Sequence, residues 1–278
     1  MIVFQRNQID KTTYHKKYFR PSCFPALNLR FDTWEFFAPY YDKAYDQFQI
    51  PAELAKTPED TLLNYFSILR EAANLLGRHC GSVGQGTSPF PIAYNFLSKA
   101  YQKKLSYEQY VHSFAGIGHT SLIKLCRVPD DSGGIRFFYE IETIEGFEGQ
   151  KAEYFGYYYG FIQLIHEQGG YRISDISKIV EDFLCAPYHG WDHDGENVVD
   201  IKFGEWCKLI QQRYQTITNG YIKNICFRGH NGADYCIIFF TLTNGTDVEI
   251  AQFRKAGSQS WIQIHIKPEE DCLGLKRE

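Results

Sequence analysis

The chain has 278 residues, 44% of them hydrophobic and 22% charged, which excludes disorder over its whole length and leaves room for one large domain or two smaller ones. Its formal charge of −4, from 29 basic and 33 acidic residues, excludes the clustered cationic surface that a phosphate backbone requires, so nucleic acid is not an expected partner. Aromatic residues make up 17% while methionine occurs once, so rings must fill much of the interior.

Residues 1–50 read as an irregular arm packed on the body. Pro21 and Pro25 interrupt it, the basic run from Lys11 to Arg20 reads as solvated, and the segment from Trp34 to Tyr41 is too aromatic to be left in water. The opening residues lack the apolar core of a signal peptide and no stretch approaches a membrane span, so the expected location is the cytoplasm.

Residues 51–186 read as a first domain. Thr57-Pro58-Glu59-Asp60 is a helix start, with Thr57 as cap, proline in the first turn and two acids at the positive end of the dipole. Leu62, Phe66, Leu69, Ala73 and Leu76 then share one helical face until Gly77. The glycine-rich stretch 81–88 lacks the lysine of a phosphate loop and reads as a connector. A second helix is expected from Pro91 to Lys104, and a third from Ser106 with Gln109 at the capping-box position.

The period then switches from helical to alternating, giving strands over 120–128, 135–145, 154–166 and 171–176. In the second of these Ile135, Phe137, Tyr139 and Ile141 form an apolar face, and Arg136, Glu140 and Glu142 are expected to meet water. Gly156 and Gly160 inside the long third strand read as bends or bulges. A helix from Ile176 to about Leu184 is expected to close the domain.

The junction from Ala186 to Gly195 opens a smaller domain over residues 187–278. Phe203, Trp206, Ile210 and Tyr214 form a helical stripe, with Trp206 expected in the core, and strands are expected over 221–228, 235–243, 247–254 and 261–266. Asn244-Gly245 has the composition of a type I′ hairpin turn. The strand over 235–242 is apolar on both faces, so it should be central and covered twice. The blocks 137–176 and 237–266 parallel each other in order, which raises an internal duplication as an alternative to coincidence.

The expected class is α+β, with helices packed on a curved, cone-like antiparallel sheet followed by the smaller helix-plus-sheet domain. Over residues 50–180, the capped helix Thr57 to Leu76, the helical pair around Tyr94 and Tyr107, and the strands 137–143, 154–165 and 171–176 resemble the nuclear-transport-factor-2-like (cystatin-like cone) superfamily in element order and length, with no diagnostic motif. The resemblance implies a curved sheet and helices enclosing a pocket. That superfamily holds isomerases, dehydratases, transport adaptors and parts of bacterial conjugation and secretion machinery, so it selects no function.

His189, Asp192, His193 and Asp194 are the densest group of metal-type ligands, but they sit in one loop and read as a surface linker; no metal and no cofactor is assigned. H-E-x-x-H, G-x-S-x-G and G-x-G-x-x-G do not occur, and His79 and Cys80 are sequence neighbours only, so no catalytic residue is assigned. The eight cysteines, without a C-x-x-C pair, read mostly as buried, inert thiols. A ligand site would be lined by Phe137, Tyr139, Tyr157 and Tyr159, with His112, His119, His166 or Asp175 as acid or base; the other reading of the same rings is a packed core strand. The expected function is a non-catalytic protein-interaction or assembly module that binds another protein or a second copy of itself. The alternative is a small-molecule binder, or an isomerase or dehydratase, with an aromatic pocket in the first domain.

Overall fold

The computed structural model describes residues 25–29, 33–75, 84–130, 132–146, 153–182, 190–257 and 260–274. The chain divides into two compact units, Met1–Glu181 and Asp182–Glu278, close to the expected boundary after residue 186. The class is α+β, with one antiparallel sheet in each unit. Among the described residues no helix is long and apolar enough to cross a membrane.

Unit 1 begins, within the arm, with a short helix α1 (Thr33–Phe37) whose Phe37 is fully buried, so the described part of the arm is not wholly irregular. The basic run 11–20 lies outside the described residues. Helix α2 (Pro58–Arg70) starts as expected: the Thr57 hydroxyl accepts from the Asp60 amide at 3.1 Å. It stops at Arg70, short of Leu76, because the chain beyond it finds other carbonyls. The Ala73 amide donates to Gly86 and the Asn74 amide to Ile117.

The expected single helix over 91–104 is two, α3 (Phe90–Tyr94) and α4 (Lys99–Lys104). Ser98 divides them. Its amide donates to the Ile173 carbonyl at 2.8 Å and its hydroxyl caps α4 by accepting from Tyr101. Helix α5 (Tyr107–His112) has both bonds of the Ser106/Gln109 capping box.

Strands β1 (Ile117–Val128), β2 (Ile135–Glu145), β3 (Tyr154–Glu167) and β4 (Gly170–Ile176) form a meander in that order. The expected helix after Ile176 is instead a short edge strand β5 (Ile179–Val180) on β3; β-branched residues and a bond from the Glu181 amide to the Tyr157 carbonyl keep the chain extended. Leu62, Phe66 and Leu69 of α2 share one core with Leu122, Phe137, Tyr139 and Ile162 of the sheet, and burial of each such side chain contributes about 1.5–3 kcal/mol.

Two expectations for this sheet are corrected. Glu140 and Glu142 do not face water: they are 0% and 4% exposed. Their charge is met in place, since Glu140 pairs with the fully buried Lys124 at 2.5 Å and Glu142 accepts from the Tyr157 hydroxyl at 2.8 Å. Nor do Gly156 and Gly160 mark bulges, because the β2–β3 register runs through both without a shift. They mark close approach: a Cβ on Gly160 would stand 2.0 Å from the Ser177 carbonyl oxygen.

In unit 2 a 3-10 turn (Trp191–His193) leads into α6 (Gly195–Val198), which runs on as a π-helical stretch over Val199–Trp206. The expected stripe breaks after Trp206, since Ile210 begins strand β6 (Ile210–Arg213) and the Tyr214 amide pairs with Cys226. Phe203 is in the core, whereas Trp206 is half-buried and meets Trp191 edge-on, contrary to its expected place. The remaining strands are β7 (Ile217–Asn219), β8 (Ile222–Gly229), β9 (Asp234–Thr241), β10 (Asp247–Lys255) and β11 (Ile262–Ile264), in the order β11-β10-β9-β8-β6 with β7 on β8. Strand β9 is therefore central, and residues 235–240 are buried on both faces. Gly195 lets the helix start lie on this sheet, for its Cβ would meet Phe239 at 3.0 Å and Ile225 at 3.1 Å.

The cysteine reading is also corrected. Cys207 is bonded to Cys272, beside the short helix α7 (Pro268–Asp271), and Cys226 is bonded to Cys236 across β8 and β9. Among the described residues the cysteine outside these two disulfides is Cys126, which is buried; Cys23, Cys80 and Cys185 lie outside them.

Candidate binding cleft

The structure does not bring the four expected pocket residues onto one wall. Residues paired across an antiparallel ladder share a face, and the register pairs Phe137 with Ile162 and Tyr139 with Gly160, but Glu142 with Tyr157 and Glu140 with Tyr159. Phe137 and Tyr139 thus point into the core beneath α2, and Tyr157 and Tyr159 stand on the opposite face. The core face is filled: Tyr139 is 2% exposed, its ring lies 5.5 Å from Phe66, and its hydroxyl donates to the Ser177 carbonyl at 2.8 Å. The acid and base candidates are equally scattered, with His112 ending α5, His119 on β1, His166 on β3 beside Tyr171, and Asp175 on β4.

A cleft of about 510 Å³ lies in unit 2. It is built from three pieces of chain. The turn 190–194 supplies the Trp191 ring, His193 and Asp194; β8 supplies Lys223; and the β9–β10 hairpin supplies Gly245 and Asp247. Asn197, one turn into the helix, completes the wall.

Local chemistry fixes each piece. Asp194 caps the helix, its Oδ1 accepting from the Glu196 backbone amide at 3.0 Å, and its Oδ2 accepts from the Asn197 side-chain Nδ2 at 3.2 Å. Arg213 holds the same turn from β6 by pairing with Glu196 and Asp200. The hairpin turns as a three-residue loop rather than the expected type I′ pair. Gly245 has φ +90°, whereas Asn244 is not left-handed and instead accepts the Thr246 amide on its side chain at 3.0 Å. That turn sets Thr246 3.3 Å from His193 Nδ1 and points Asp247 inward.

Asp247 is the anchor. Its side chain is 2% exposed, and it accepts from the Gly195 amide at 2.9 Å and the Thr241 hydroxyl at 2.6 Å while pairing with the Lys223 ammonium. Lys223 Nζ also lies 4.0 Å from Asp194. The Asp194 side chain remains 51% exposed and Trp191 39% exposed.

No family model, curated protein or solved structure matches this chain. The cleft therefore rests on its own geometry.

Of the residues singled out in sequence, His193 and Asp194 line the cleft and Asp192 stands at its rim, 3.9 Å from His193; His189 lies outside the described residues. The segment is thus a helix cap and cleft wall rather than a plain surface linker. Among the described residues no three His, Cys, Asp or Glu side chains are placed to share an ion. Lys223, Asn197 and Asp247 were missed, because nothing in the alternation of β8 or β10 marks one polar position above another. The signal that was available is the Trp191 ring inside a polar junction.

Proposed function

We propose that this chain is a non-catalytic protein-binding module that receives its partner, another protein or a second copy of itself, at the cleft of unit 2. The observation that carries the reading is how the polar groups of the cleft are engaged. Lys223 and Asp247 are bonded to each other and to their surroundings, Asp194 caps a helix, and a tryptophan ring stands beside them in solvent. Acid–base catalysis needs a group held ready for the substrate, and here Lys223, Asp247 and Asp194 are bonded within the fold while His193 lies against the Thr246 hydroxyl at 3.3 Å. An exposed tryptophan with a polar rim has the composition of a binding hot spot. In unit 1 the order of helices and strands supports an NTF2-like cone, with its interior filled by rings rather than open to a ligand.

The test is photo-crosslinking in the protein's own host. A benzophenone side chain in place of Asp192, at the rim, is expected to give discrete protein adducts that the same group in place of the exposed Lys208 does not give. Equal adducts from both positions, or none from position 192, overturn the reading.

The proposed setting is one in which the Cys207–Cys272 and Cys226–Cys236 disulfides persist. Disulfides last in oxidising compartments and are rare in the reducing cytoplasm, so they weigh against the location expected from sequence. Alkylation of thiols at the moment of lysis, followed by mass spectrometry, is expected to find these four cysteines unmodified. Finding all four alkylated returns the chain to the cytoplasm.

A further inference from the structure

We propose that the cleft recognises a cationic side chain, arginine or lysine, of its protein partner; this rests on the protein-binding reading above. The charges of the wall decide the sign. Within the lining Asp194 and Asp247 face the ammonium of Lys223, while the His193 imidazole has Asp192 3.9 Å away, so the carboxylates outnumber the ammonium. Lys223 is committed to Asp247, which is itself buried and satisfied, so the pair is neutral towards a ligand and offers little to an anion. Asp194 is the open carboxylate, at the far end of its ion-pair distance from Lys223, 4.0 Å. Each of its oxygens accepts one bond from the helix start, which leaves lone pairs for an incoming donor, and half of its surface is open.

Beside it stands the Trp191 ring, steadied by the edge contact with Trp206 at 5.7 Å. Tryptophan is the best aromatic partner for a guanidinium or ammonium, and a carboxylate next to the ring completes a site for a cation with an apolar stem. The opening, about 510 Å³, is larger than one such side chain, which fits a site that also receives the flanking backbone of a peptide.

The experiment uses the full, disulfide-intact chain labelled with 15N, and follows the indole N–H resonance of Trp191, assigned by its loss in W191F. The probes are acetyl-Gly-Arg-Gly-amide, its lysine and glutamate counterparts, and the citrulline counterpart, which keeps the shape of arginine without its charge. The basic peptides are expected to shift the resonance saturably, with citrulline binding at least about fivefold more weakly, a difference of about 1 kcal/mol in binding. Asp194→Asn keeps a good helix cap and is expected to weaken the arginine peptide by at least about fivefold, with the other resonances unmoved. If that variant misfolds, W191F serves as the second test, read by the indole N–H resonance of the neighbouring Trp206 in both the parent and the variant, because phenylalanine holds a cation less well than tryptophan. Equal binding of citrulline and arginine, preference for the glutamate peptide, or no saturable shift from either basic probe overturns the proposal. Adducts from position 192 without binding of basic probes would remove the cation site and leave the protein-binding reading. Binding of basic probes without adducts would remove the protein partner and keep the cation site.

Discussion

Gly160 and Gly156 occupy the same strand for different reasons, and substitution separates them. A Cβ on Gly160 meets the backbone carbonyl of Ser177 at 2.0 Å, which cannot move without displacing the edge of the sheet, whereas a Cβ on Gly156 meets the side chains of Glu145 and Thr143. Gly160→Ala is expected to cost about 2 kcal/mol or more in urea unfolding and Gly156→Ala distinctly less; the reverse order would refute this packing. The Lys124–Glu140 pair gives a second prediction. Glu140→Gln removes the carboxylate bonded to a fully buried ammonium and should cost about 3–5 kcal/mol, while the double change Lys124→Met, Glu140→Leu should cost less than the two singles summed. Neither feature was legible in sequence. A glycine in a strand says only that a side chain is not wanted, and the alternation of β2 puts Glu140 on a face that a lone strand would present to water.

Elements were legible where a local signal and the tertiary demand agree. Thr57 caps α2, Ser106 and Gln109 close their box, β2 is read from its alternation, and β9 from a short apolar run closed by the Asn244-Gly245 turn. Elements were misread where long-range bonds decide. Helix α2 ends when Gly86 and Ile117 take the amides of residues 73 and 74, and the stretch after Ile176 stays extended because it can pair with β3. The central place of β9 was readable from a run apolar on both faces, and it carries a prediction. Phe240→Asp buries a carboxylate at a fully buried position and should unfold unit 2, whereas Ile262→Asp on the edge strand β11, 57% exposed, should stay within about 0.5 kcal/mol of the parent in thermal melts. Similar losses from both would contradict the assigned sheet order.

At the scale of the whole molecule, the aromatic composition noted at the outset becomes a pH dependence. Burial raises the phenols of Tyr65, Tyr110 and Tyr139 above their ordinary value of 10.0, and burial with the neighbouring Glu108 pushes Tyr107 up to about 12. Between the ordinary and the raised values the folded chain keeps protons that the unfolded chain has lost, so the stabilisation is complete below pH 10 and is lost as pH rises through the folded values. The phenolate absorbance that belongs to these buried tyrosines should therefore appear together with the change in circular dichroism. Smooth ionisation of all tyrosines near pH 10 with the fold intact would contradict the filled interior of unit 1.

Function was the least legible level, since the residues that build the cleft come from a turn, a strand and a hairpin that sequence spacing does not relate. The claim that this cleft binds protein through a basic side chain is tested most directly by competition at position 192. Photo-adducts from that position are predicted to fade as acetyl-Gly-Arg-Gly-amide is added and to persist with its citrulline counterpart. Adducts indifferent to the arginine peptide, or displaced equally by both peptides, would contradict the account.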